Sequence, residues 1–514
     1  MASYADISSR SPAKGADAAG PRKAASPIVA ALAIGALALA WTFVVRLPLR
    51  RMDGLDDAFY AEVAHLWTQG ILPYAGAFDI KPPGFFALLA VVQMLLGPTL
   101  DSLRAIAIGG DAVAAAALVY LGRRFNAPMV GVCAGALYPV LSELVTSNDA
   151  YCPLGALTIL AFLAALSSLD VVKRAVLAGA LIGAAVVVKQ TGGFEAIALL
   201  FVLASAPDVQ GRRARVALIF VVTAALAPAG FLLYFAAHGA AQPLIDDAVL
   251  GALIRPASAA EGLTLLGGFG RYFVLQKSVV AIYALACLAL LRGRTLRDQA
   301  PGVRIAALEA WFLAASLSIL AQRAIAPTYL GPTLAPGLLL AGLCLTRAAP
   351  ELARVPAWAR LAALAIASIA FALAIPGNDL SARQETAALD AAAAAIRASG
   401  PAPEDKLYVV NRGAWLYPMT DLPPATKYFY PGPTLCNFRE SGPGLLADIL
   451  ASLPRYIVVA DRRIHYACEQ KDRWPIVDAA LARFYRRIAH AGRGVDSYDV
   501  YERCIFAKIT MQNN

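Results

Sequence analysis

Between residues 27 and 376 the chain is a succession of alanine- and leucine-rich runs, many approaching twenty residues, parted by short arginine clusters. Runs of that length match the roughly 20 residues that carry a helix across a hydrocarbon core about 30 Å thick. Inside lipid there is no water to satisfy backbone polar groups, so a segment that crosses alone must cross as a helix. Composition agrees: 59% of the 514 residues are hydrophobic and 16% are charged, against roughly a quarter charged in ordinary soluble domains. The chain reads as an α-helical polytopic membrane protein.

Spans fall near 27–45, 103–121, 127–145, 153–169, 175–191, 193–207, 216–236, 270–291, 303–321, 329–346 and 361–376, about eleven in all. Residues 1–26 lack periodicity and read as a disordered cytoplasmic tail. The first run offers Ala38-Leu39-Ala40 as a cleavage-like site, but its length and the tail before it favour a retained anchor. With Arg22-Lys23 inside, alternate loops carry Arg123-Arg124, Lys173-Arg174, Arg212-Arg213 with Arg215, Arg292 to Arg297, and Arg347 to Arg360. All lie on one side, as the positive-inside rule requires. The apolar stretch 84–97 would invert every later cluster if it crossed, so it is expected to be juxtamembrane or re-entrant and packed on protein. The odd span count then puts the C-terminal end on the extracytoplasmic side of a cell (inner) membrane. These topogenic clusters account for the net charge of +10, which argues against nucleic-acid binding.

A topology drawn from arginines alone also sorts the other polar residues. Asp56-Asp57, Glu143 with Asn148-Asp149, Lys189-Gln190, Asp246-Asp247, and Arg323 with Tyr329 all fall at the outer face. Lys189 and Glu143 stand at span ends, where charge is costly, and this favours an outward-facing site. The plainer alternative is that outer loops collect whatever polar residues lipid excludes.

Beyond Pro376 the composition changes to that of an α/β domain, residues 377–514. A helix is expected over 385–399, strands over 406–411, 455–460 and 497–504, and helical stretches near 443–453 and 475–487. No glycine-rich phosphate loop follows either of the first two strands, so nucleotide binding is not assigned. Among Cys436, Cys468 and Cys504 one disulfide is allowed, its members undecided, while Cys133, Cys152, Cys287 and Cys344 are expected to pack. No CxxC or spaced histidine pair supports a zinc site.

The densest chemistry lies in the outer loop 46–102. Residues 56–69 suit an amphipathic helix at the membrane interface, with Phe59, Val63 and Leu66 on one face and Trp67 at headgroup level. Asp57, Glu62 and Gln69 interrupt the other faces. Neighbouring helical positions point about 100° apart, so Asp56 and Asp57 are expected to do different work. A carboxylate in a partly dry cleft can act as a general base, and helix capping is the simpler alternative. Lys81 precedes Pro82-Pro83, which stiffen the backbone and suit a fixed cation to an anionic phosphate; an ordinary snorkelling lysine is the alternative.

The acidic pair, Tyr60 four residues after Asp56, and the Lys81-Pro82-Pro83 motif resemble the GT-C superfamily. The nearest likeness is to its protein O-mannosyltransferase and aminoarabinose (lipid A) transferase branch. Weaker support comes from Lys189 to Gly193, from Arg323, Tyr329 and Pro336, and from the terminal α/β domain. The resemblance implies a GT-C-like transmembrane domain over 27–376 and a catalytic role for Asp56 and Asp57. It implies donor-phosphate contact by Lys81, helped by Lys189, Arg271 or Arg323, and a site lined by Tyr60, Asp149 and Tyr329. The family's second acid is usually Glu and is Asp57 here; Phe59 stands where a basic residue is common; Ile80 replaces an acid, with Asp79 one place earlier. The implied activity is transfer of a hexosyl or pentosyl group from a polyprenyl-phosphate sugar to a lipid, glycan or protein acceptor. No cofactor is required by this scheme, and a divalent cation on the paired aspartates is left open. Two rivals stand beside it. A lipid-linked sugar transporter or flippase would show internal repeats, of which none is clear. A non-catalytic cell-envelope assembly protein would carry a degenerate site.

Overall fold

The computed structural model describes residues 27–46, 55–146, 150–251, 282–288, 305–322, 327–348, 356, 379–410, 412–429, 446, 449–460, 473–494 and 496–504. Its first part is helical: α1 (Pro27–Arg46), α2 (Leu55–Thr68), α3 (Pro83–Leu96), α4 (Leu100–Arg124), α5 (Pro128–Thr146), α6 (Tyr151–Ala165), α7 (Val171–Val188), α8 (Gly192–Ala204) and α9 (Arg213–Ala237). There follow α10 (Ala241–Leu244), running into a π-helical turn Ile245–Leu250, then α11 (Ile305–Ala321) and α12 (Gly331–Ala348). Six described helices are long and apolar enough to cross a membrane, namely α1, α4, α5, α7, α9 and 328–346. Four shorter apolar helices, α3, α6, α8 and α11, accompany them. The chain is thus a multi-pass membrane protein. Of the expected span 270–291 only the helix 282–288 is described, and 361–376 lies outside the described residues.

The stretch that had to be kept from crossing is α3. At 14 residues it is about 21 Å long, short of the ~30 Å core. Phe85, Phe86, Leu89 and Gln93 are buried, while Val91, Met94 and Leu95 are exposed on the opposite side. Helices approach closely where glycine permits: a Cβ on Gly122 of α4 would lie 2.4 Å from the Gly131 Cα of α5. Along this bundle α4 packs between α5 and α6, α1 lies across α4 and α5, and α7 runs beside α9.

The terminal unit contains α13 (Asp379–Ala398), β1 (Leu407–Val409), α14 (Leu416–Thr420), β2 (Tyr456–Ala460), α15 (Arg473–Phe484), β3 (Tyr485–Arg493) and β4 (Asp496–Arg503). The sheet order is β1-β2-β4-β3, with β1 parallel to β2 and the other pairs antiparallel. Central β2, YIVVA, is buried at every position, as a strand covered on both faces must be. One expectation fails. Helix 475–487 ends at Phe484, and Tyr485–Arg493 is an edge strand whose Arg486 and Arg487 are solvent-exposed. Charged side chains suit an edge that must not recruit another strand, and they conceal the alternation that marks strands. Cys504, like Cys287 and Cys344, has a free thiol, whereas Cys436 and Cys468 lie outside the described residues.

The role expected of α2 also changes. Positions 57–64 are all buried, including Asp57 and Glu62. Rather than presenting a polar face to water, α2 is wedged between α3 and α4 on one side and α14 of the terminal unit on the other. His65 Nε2 and Gln69 Nε2 meet Asp421 Oδ1 at 3.1 and 3.3 Å, and Phe59 packs on Phe429 with ring centres 5.9 Å apart.

Candidate active site

The start of α2 and the proline-stiffened turn before α3 bring three expected residues together. Asp56, in the first turn of α2, accepts a hydrogen bond from the Tyr60 hydroxyl at 3.0 Å, one helical turn on. Fully buried Tyr60 is held edge-on against Phe85, and the Lys81 ammonium sits 4.3 Å from its ring centre. Tyr60 thus touches the carboxylate through its hydroxyl and the cation through its ring. Asp57 is 3% exposed and Asp56 half-buried, the difference in setting expected of adjacent helical positions.

Lys81 is fixed from several directions. Its backbone N–H donates to Asp79 Oδ1 at 2.9 Å, and its ammonium is 3.7 Å from the same oxygen. Its carbonyl accepts from the Tyr74 hydroxyl at 2.7 Å, and the carbonyl of Ile80 accepts from Gln190 Nε2 at 2.7 Å. The following glycine is obligatory for sterics, since a Cβ on Gly84 would meet the Val187 carbonyl of α7 at 2.5 Å. Burial pushes the Asp79 carboxyl above its usual range; Lys81 pulls it down and nearby Asp56 adds to the rise. Its Oδ2 is buried with no hydrogen-bond partner among the described residues. Tyr74 is fully buried and holds a left-handed backbone, φ +68°, a strain seen more often at functional sites than elsewhere.

Beside this turn, Lys189 ends α7. It is 6% exposed, its ammonium lies 4.0 Å from the Tyr151 ring centre, and no carboxylate among the described residues pairs with it. The Tyr151 hydroxyl donates to Gln322 at 2.9 Å, and its ring lies 6.4 Å from that of Tyr329. Gln190 links the two halves: it bonds Ile80 and also the Ala248 carbonyl, at 3.3 Å, in the π-helical turn carrying Asp246 and Asp247.

At the same end of the bundle, buried Arg46 closes α1 onto α4 and α5. It bonds Asp111 Oδ2 through Nε at 2.9 Å and Nη2 at 2.6 Å, and pairs with Glu143. Ser142 donates to Asp111 at 3.0 Å. Among the described residues, Asp56, Tyr60 and Lys81 form one group and Lys189, Tyr151 and Tyr329 the next, joined through Gln190. Arg271, Arg323 and Asp149 lie outside the described residues. Among the described residues no three His, Cys, Asp or Glu side chains stand together as a metal site. Four contributors had no role from sequence: Tyr74, Asp79, Asp247 and Lys427 of the terminal unit. Only Asp79, two residues from Lys81, and the doubled Asp246-Asp247 left a trace that could have pointed there.

No protein-family model and no curated protein sequence matches the chain. Solved structures do. ArnT from Cupriavidus metallidurans bound to undecaprenyl phosphate superposes with a TM-score of 0.62 at 17% identity, over 93% of this chain and 99% of that one. Its apo form gives 0.59 at 17% identity, over 92% and 98%. The chain has the GT-C fold. A second structure with the GT-C fold, the Archaeoglobus fulgidus oligosaccharyltransferase in complex with zinc and sulfate, superposes at 0.53 with 15% identity over 88% of this chain and 72% of its own. At such identities the likeness is one of architecture. At 93% of this chain, the superposition on ArnT takes in both the bundle and the terminal unit.

Proposed function

We propose that this protein is a membrane glycosyltransferase that moves a sugar from a polyprenyl-phosphate donor to an extracytoplasmic lipid, glycan or protein acceptor, with inversion. The observation that carries the reading is Lys189, a buried cation without a carboxylate partner among the described residues, joined through Gln190 to the turn that holds Lys81. An isolated buried charge is expensive, and a phosphate between these two lysines would relieve that cost. The ArnT structure was solved with undecaprenyl phosphate, a carrier of this chemical class.

In this scheme Asp56 takes the proton of an acceptor hydroxyl or amine as its heteroatom attacks the anomeric carbon. The bond between that carbon and the phosphate oxygen breaks, and the polyprenyl phosphate leaves with its charge held by Lys81 and Lys189. Phosphate is a good leaving group, so no strong general acid is needed. Tyr60 orients Asp56 through its 3.0 Å bond, and buried Asp57 anchors α2. Arg271, Arg323, Asp149 and Tyr329 are assigned to the donor site and its lining on sequence grounds. Whether the group moved is a hexose or a pentose is a question for surface glycolipids and glycoproteins, compared by mass spectrometry with and without the gene.

The direct test is transfer from radiolabelled lipid-phosphate sugar in membranes carrying Asp56→Asn or Lys81→Ala. Both are expected to lose at least about a hundredfold in rate, the scale of a general base or an oxyanion contact. Wild-type turnover in both would remove the assignment.

A further inference from the structure

We propose that Lys427, in the terminal unit, is a positioning residue for Lys81, acting through Tyr74. The inference rests on the donor-phosphate role given to Lys81 above. The Lys427 ammonium donates to the carbonyl of Tyr74 at 3.2 Å and lies 3.6 Å from Asp247 Oδ2 in the π-helical turn. Tyr74 is the residue with the left-handed backbone, and its hydroxyl holds the carbonyl of Lys81 at 2.7 Å. The backbone makes a second pin, because the Phe78 N–H donates to the Lys427 carbonyl at 2.8 Å, one residue before Asp79. Phe78 and Tyr428 pack beside it with tilted rings, centres 5.4 Å apart. A strained residue persists only where its surroundings over-determine it. Here the restraint comes from a lysine 353 positions away in the chain. Seating of the terminal unit and placement of the phosphate-binding lysine are therefore one event.

The latch has a titratable member. Burial raises the Asp247 carboxyl to about 6; Lys427 pulls it down, while Asp246 and Asp79 push it up. Tyr74, itself raised by burial and by Asp79 and Asp247, faces the same group. Protonation of Asp247 as pH falls through about 6 removes its attraction for Lys427. The latch is expected to hold above that pH and loosen below it.

The test measures equilibrium binding of undecaprenyl phosphate to the purified full chain in detergent, with melting temperature recorded for every variant. Lys427→Ala is expected to weaken binding about tenfold and Lys427→Arg less than about threefold, the scale of a hydrogen bond to a charged group. Tyr74→Phe is expected to weaken binding similarly. The Lys427→Ala, Tyr74→Phe double variant should be no worse than its weaker-binding parent, because the two act in series. The phosphomonoester has its own ionisation near ~6, common to all variants, so the ratio of wild-type to Asp247→Asn affinity is the pH readout. That ratio is expected to shrink toward one between pH 7 and 5. Wild-type affinity in a folded Lys427→Ala, additive losses in the double variant, or a pH-independent ratio would overturn the inference. If Lys427→Ala does not fold, Tyr74→Phe with unchanged binding, or an Asp247→Asn ratio that ignores pH, overturns it instead. Should wild type fail to bind the lipid, or Lys81→Ala bind it normally, the donor reading and the latch fall together. Loss with Lys81→Ala and none with Lys427→Ala defeats the latch alone.

Discussion

Among the described residues no carboxylate offsets the burial of Lys189. Its contact with the Tyr151 ring returns about 0.5–2 kcal/mol, less than the several kcal/mol of desolvating a lone ammonium. Lys189→Met should leave the melting temperature unchanged or raised while weakening undecaprenyl phosphate binding more than about tenfold; lower stability together with intact binding would show that Lys189 serves packing. Tyr60→Phe removes the bond to Asp56 but keeps the ring beneath Lys81, so transfer should slow by about tenfold or more with donor affinity nearly kept. Glu62 makes a pH prediction. Burial first, and Asp421 second, raise its carboxyl well above the usual 4.5. Its folded form therefore binds a proton more readily than its unfolded form, so its stabilising contribution is complete below about 4.5 and is lost as pH rises through the raised value. Glu62→Gln should flatten that decline in a pH series of melting temperatures. Asp56, Lys81 and Lys189 were legible in the sequence because a charge at a span end or beside Pro-Pro needs a reason. Tyr74 and Lys427 were not, since a left-handed backbone and a bond across 353 positions leave no local pattern.

Among the elements, α3 shows how a short helix carries a site. Gly84 lets its start touch the end of α7, which brings Lys81 toward Lys189. Gly84→Ala would place a methyl 2.5 Å from a backbone carbonyl that cannot rotate away. Overpacking of this kind costs about 1–3 kcal/mol. The expected result is a lower melting temperature and weaker donor binding together, while Gly193→Ala, at a position with open space, should do neither. Apolar length and arginine alternation were enough to read α1, α4, α5, α7 and α9, because lipid imposes that pattern. Periodicity failed for α2 and β3. The polar residues of α2 mark a buried contact with another part of the chain, and the arginines of β3 guard an edge, and neither environment is encoded in residue spacing.

Taken whole, the molecule joins its bundle to its terminal unit at the site itself. Phe429 packs on Phe59 of α2 and on Tyr417, with ring centres 5.9 and 5.4 Å apart. Phe429→Ala should cost about 3–5 kcal/mol of stability. Limited proteolysis is expected to release the terminal unit from this variant sooner than from wild type. The backbone hydrogen bond from Phe78 to Lys427 also bears on how the protein is made. A ribosome delivers residues 74–81 long before residues 421–429, so the turn that carries Lys81 has its contacts with Asp79, Tyr74 and Gln190 but lacks this brace while translation is under way. A nascent bundle already threaded into lipid would then keep this turn under looser restraint until the terminal unit is synthesised and folds back onto it.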